Sequence, residues 1–147
     1  MESVGRGSWV SALRRVSPLA ADDRGRTIQG RLDYEVGRAR RYGGRVSIVM
    51  FRLASTGVAD GSWQRFAVGI AGSLRDLDTY WIDRDRITMV LPETDLTARS
   101  HVIDRVARSA GLVGLALEAS AATFPDEAAT TDGLIRSVTG TEDAKTA

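Results

Sequence analysis

Val46-Ser47-Ile48-Val49-Met50-Phe51 is an apolar run interrupted by one small polar residue. It is too continuously apolar for a strand with one wet face and too short for a typical helix. It therefore predicts a central strand covered on both sides. Upstream, Ile28, Leu32, Val36 and Ala39 recur at i, i+4, i+8 and i+11, one apolar stripe of a helix beginning after Thr27. Arg31, Arg38 and Arg41 lie off that stripe, and Tyr42-Gly43-Gly44 is suited to end the helix.

Downstream, Gly57 to Gly61 breaks the chain, and Ser62 is suited to cap a second helix burying Trp63, Phe66, Ala67, Ile70 and Leu74. Thr79–Ile82 and Ile87–Leu91 flank the charged turn Asp83-Arg84-Asp85-Arg86, which predicts a hairpin stopped by Pro92. Thr94 or Asp95 can cap a third helix carrying Ala98, Val102, Val106 and Ala110. Val113 to Phe124, with Leu115, Leu117, Ala119 and Ala121 alternating, predicts a further strand, and a short helix follows over about Asp132–Val138. This order predicts a mixed sheet flanked by helices in one α/β sandwich. Residues 17-138 would form that domain. Residues 1-16, with Trp9, Val10 and Leu13 beside Arg14 and Arg15, predict an extension that can form an amphipathic helix, and 139-147 a polar, flexible tail.

Composition removes several chemistries. The 147 residues contain no Cys, so disulfides, thiolate zinc sites and a cysteine nucleophile are excluded. The single histidine, His101, excludes mechanisms that need two imidazoles and reads as a surface residue. A net charge of +1 gives no reason to expect a nucleic-acid polymer or a membrane as partner. No apolar run approaches the roughly 20 residues of a membrane span, nor does the N-terminus show a signal-peptide core, so a cytoplasmic location is expected. The charge is nonetheless uneven. Residues 1–50 carry ten Arg against five acids, and residues 51–147 carry ten basic residues against fourteen acids. A basic half can meet an anionic partner or the acidic half of a neighbour.

Several segments, in order, resemble a known family. Ser17-Pro18-Leu19, the helix ending Arg38-Ala39-Arg40-Arg41-Tyr42-Gly43, the corner Val90-Leu91-Pro92-Glu93-Thr94-Asp95, and Ala119-Ser120-Ala121-Ala122-Thr123-Phe124-Pro125-Asp126 are similar to pieces of the GGDEF domain of bacterial diguanylate cyclases. The resemblance spans about residues 17–138 and implies a GGDEF-like, palm or ferredoxin-like fold. It also implies where chemistry would lie. The family's Asp-x-Asp pair at the end of the central strand corresponds to Arg52-Leu53-Ala54, and its signature hairpin to Asp83-Arg84-Asp85-Arg86-Ile87. Both signature glycines are absent and the metal-binding acid is replaced by Arg86. A guanidinium cannot ligate Mg²⁺, which takes hard oxygen donors. The helix bearing the guanine-reading Asn has no room in Ser55–Ser62.

What the resemblance implies is therefore a degenerate, catalytically inactive domain with no metal or cofactor, acting as a module for homo- or heterodimerisation with a signalling protein. An alternative stays open. Arg75-Asp76-Leu77-Asp78 matches the family's Arg-x-x-Asp inhibitory site, so Arg75 and Asp78 could bind cyclic di-GMP, the Arg forking onto guanine or phosphate and the Asp accepting from the base. Arg and Asp are abundant enough here for the spacing to arise by chance, so position alone gives the motif its weight. Asp83 and Asp85, alternating with Arg84 and Arg86, read otherwise as a solvated turn.

Overall fold

The computed structural model describes residues 27–146, with side chains through residue 140. The expected N-terminal extension and the Ser17-Pro18-Leu19 entrance lie outside the described residues. The apolar run forms β1 (Val46–Leu53) and is buried as expected: strands pair with both its edges and helices cover both its faces. Helix α1 (Ile28–Tyr42) precedes it. Thr27 caps α1 by accepting from the Gly30 N–H at 3.1 Å, and Gly43 closes it by donating to the Ala39 carbonyl.

The remaining elements are α2 (Ser62–Ala71), β2 (Thr79–Ile82), β3 (Arg86–Pro92), α3 (Leu96–Leu112), β4 (Leu117–Phe124) and α4 (Thr131–Thr146). The sheet order is β2-β3-β1-β4, and every pairing among the described residues is antiparallel, where a mixed sheet was expected. β1–α2–β2–β3–α3–β4 is the split βαβ arrangement of a ferredoxin-like fold.

Alternation along the strands sorts the core into two layers. Val49, Phe51, Tyr80, Ile87, Met89 and Leu91 face α2 and α3, which contribute Trp63, Phe66, Ile70, Val106 and Ala110. Ile48, Met50, Val90, Ala122 and Phe124 face α1 and α4, which contribute Leu32, Val36, Leu134 and Val138. Burying side chains of this size stabilises by about 1.5–3 kcal/mol each, so both helical layers are needed to keep β1 dry.

Three boundaries differ from expectation. Gly61, not Ser62, is the N-cap of α2; its φ of 80° is a conformation that glycine adopts without strain, and no side chain caps that end. β4 starts at Leu117 rather than Val113. Helix α3 continues to Leu112, Gly114 turns at φ 78°, and Leu115 is buried by a loop whose N–H donates to the Ala110 carbonyl. Finally, α4 extends past Val138 to Thr146, through the segment expected as a tail; no proline interrupts it.

Candidate functional site

Two places identified in the sequence are brought to different parts of the sheet. The first is the hairpin end. Arg52, near the end of β1, is the direct cross-strand partner of Arg86 at the start of β3, so both side chains leave the same face. Two guanidinium groups side by side would repel, and each has an acid at hand. Arg52 Nη2 lies 2.6 Å from Glu118 Oε1 of β4, and Arg86 Nε lies 3.5 Å from Asp85 Oδ1. The turn itself is held by its backbone: the Asp83 N–H donates to the Arg86 carbonyl, the Leu53 N–H to the Asp85 carbonyl, and Trp63 Nε1 to the Asp83 carbonyl at 2.9 Å. Asp83, Arg84 and Asp85 are exposed, and Ile87 is fully buried. Among the described residues, no three His, Cys, Asp or Glu side chains converge to hold a metal ion.

The second place is the loop between α2 and β2. Asp78 is only 4% exposed. Its Oδ2 accepts from the Arg75 N–H at 3.0 Å and from Arg75 Nε at 3.2 Å, and its Oδ1 accepts from Arg75 Nη2 at 2.8 Å. The same Nη2 donates to the Pro92 carbonyl at 2.7 Å and to Thr94 Oγ1 at 2.9 Å. Hydrogen bonding to Asp78 pushes the Arg75 guanidinium up from its ordinary value, against the opposing effect of partial burial. Sequence spacing thus found a real pair, but the pair is closed on itself and ties its loop to the β3–α3 corner. The corner partners Pro92 and Thr94 were not legible as such. A carbonyl acceptor leaves no side-chain signature, and the Thr94 hydroxyl reads equally well as a helix cap.

A third feature had no clear sequence signal. At the opposite end of the sheet from the hairpin, a cleft of about 340 Å³ lies between the end of α1 and the Pro92–Glu93 corner. Its charged walls are matched internally. Arg31 Nη2 lies 2.8 Å from Glu35 Oε2, both buried although Arg31 falls off the apolar stripe; Arg38 reaches Glu93 at 3.4 Å, and Arg45 reaches Asp126 at 2.7 Å. Tyr42, also on the cleft, is 80% exposed. His101 is exposed on α3, as expected. Trp63 and Phe66 are core residues, and Tyr80 is buried while Trp81 packs partly against the opposite layer.

No protein-family model matches the sequence, and no curated protein matches it. Solved structures do. A diguanylate cyclase protein from Thermotoga maritima aligns with a TM-score of 0.59 at 16% identity, over 73% of this chain and 88% of its own. A sensory box/GGDEF family protein from Caulobacter crescentus aligns at 0.60 and 13%, over 80% and 90%. The diguanylate cyclase SiaD from Pseudomonas aeruginosa, solved in complex with its activator SiaC, aligns at 0.51 and 22%, over 78% of this chain and 52% of its own. The chain has a GGDEF-like fold. No helix among the described residues is long and apolar enough to cross a membrane.

Proposed function

We propose that this domain keeps the GGDEF-like fold as an interaction module and does not carry out cyclase chemistry. One observation carries the reading. Where the resemblance puts the family's metal-binding carboxylates, Arg52 and Arg86 stand side by side on adjacent strands. Two-metal phosphoryl transfer requires oxygen ligands that gather cations at the triphosphate. Here the same positions are cationic and are committed to Glu118 and Asp85. What the fold retains is its two buried layers. That one neighbour of this fold was solved bound to an activator protein supports a protein-binding role.

The alternative, a cyclic di-GMP effector using Arg75 and Asp78, meets a physical obstacle. Asp78 is buried and both its oxygens already accept from Arg75, so a guanine would have to displace that pairing before it could be read. The test has two parts. Incubation with GTP and Mg²⁺ or Mn²⁺ should yield no product above buffer; turnover would sink the reading. Calorimetry with cyclic di-GMP should show no heat. Micromolar binding by the wild type that Arg75→Ala abolishes would instead establish the effector.

A further inference from the structure

The structure assigns the open edge of β4 as the surface on which a second copy of this chain docks, by antiparallel pairing across a two-fold axis at Ala119. The inference rests on the interaction-module reading and names its partner. β1 and β4 pair without a bulge from Val46↔Phe124 to Leu53↔Leu117, and the ladder continues as the Ala54 N–H donates to the Ala116 carbonyl at 2.8 Å. Even-numbered residues of β4 therefore bond to β1, and odd-numbered residues turn their N–H and C=O outward. Thr123 confirms the alternation. Its N–H donates to Glu127 Oε1 at 3.0 Å, and its carbonyl accepts from the Glu127 N–H at 2.8 Å. The edge is thus closed at Thr123 by the following turn. Leu117, Ala119 and Ala121 remain, with no further strand beside them among the described residues.

A solvent-exposed edge is normally protected by Lys, Pro, a bulge or a charged side chain. β4 has none of the first three between Leu117 and Ala121. Its one charge, Glu118, is drawn back across the sheet to Arg52.

The outward residues then select the occupant. With Ala119 on the axis, Ala119 faces Ala119 of the second copy, and Leu117 faces Ala121. Every outward N–H and C=O of the three residues finds a partner, giving about six backbone hydrogen bonds. Glu118 faces Ser120 rather than another Glu118, so no like charges oppose each other. Shifting the pairing by two residues toward Thr123 would place Leu117 against that closed position, and shifting it the other way would leave Ala121 against Leu115, whose N–H is already bonded to Ala110. Small side chains at Ala119, Ser120 and Ala121 allow the strands to approach. At the end of α3, ahead of the strand, Leu112 and Val113 are 83% and 60% exposed.

The full chain should sediment as a dimer at high concentration and dissociate on dilution. Ala119→Pro removes an outward donor while leaving the ladder to β1 intact, so it should keep its thermal unfolding transition and weaken the dimer at least about ten-fold. Should that variant fail to fold, amide exchange of the wild type decides: the Ala119 and Ala121 amides should be protected at high concentration and exposed on dilution. A wild type that stays monomeric, or a dimer whose Ala119 and Ala121 amides exchange freely, overturns the inference. The two readings fail separately. GTP turnover by an Ala119-dependent dimer would remove the inactive-module reading alone. A monomer that binds a different protein would remove the edge pairing alone.

Discussion

The Asp78 carboxylate shows how one residue position sets what its neighbours can do. It is buried, and Arg75 supplies both its side-chain partners and a backbone N–H. Arg75→Ala would leave a carboxylate with one hydrogen bond where it had three. The expected loss is about 1–3 kcal/mol in urea unfolding, toward the lower end because Arg75 itself is half exposed and water screens the pair. Arg75→Lys restores charge without the fork and should fall between alanine and wild type; equal stability of all three would show that the pair does not hold the loop. Thr79, the next residue, makes the opposite case. Its hydroxyl is buried without a hydrogen-bond partner. Thr79→Val removes an unsatisfied polar group at nearly constant shape, and should raise stability by about 1 kcal/mol, read as a higher denaturation midpoint.

At the scale of elements, caps and turns decide where structure stops, and these were the least legible features. The apolar stripe of α1 and the buried run of β1 were readable because burial imposes a period on the sequence. The start of β4 was not, because Leu115 continues the alternation while its backbone already belongs to a loop. Asp95 was readable as a cap, and its side chain accepts from the Ala98 N–H at 2.9 Å. Asp95→Ala should cost about 1 kcal/mol. The turn after β4 adds a pH dependence. Arg99 donates to Glu127, which together with the Thr123 N–H holds the Glu127 carboxyl below the usual glutamate range. A depressed folded-state value contributes stability that is present above the ordinary pKa and lost as pH falls through the folded one. Melting temperature should therefore decline on acidification below the ordinary glutamate range. Glu127→Gln should lower it at neutral pH and flatten that decline; an unchanged slope would place the acid sensitivity elsewhere.

Over the whole molecule, near-neutral charge conceals a local pair of cations, Arg52 beside Arg86, at positions the resemblance aligns with acids. Composition could not reveal it, since Arg52 and Arg86 look like ordinary surface arginines until the strands bring them together. What sequence could not supply was the acidic partner of Arg52: Glu118 lies far along the chain and meets it only through the β1–β4 register. The pairing makes a direct test of the site. Arg52→Asp together with Arg86→Glu would set two carboxylates on adjacent strands, beside Glu118 and Asp85, with oxygen donors suited to Mg²⁺ or Mn²⁺. Without a cation, the cluster should lower stability through like-charge repulsion. Ligand linkage stabilises by about 1.4 kcal/mol at ten times the dissociation constant, so Mn²⁺ should raise the variant's melting temperature by several degrees and leave the wild type unmoved. The variant should still turn over no GTP, because the turn keeps the bulky Asp83 and Arg84 where the resemblance puts glycines that let phosphate approach the backbone. A Mn²⁺ response in the wild type, or none in the variant, would mean that these two positions do not sit where a cation could be held.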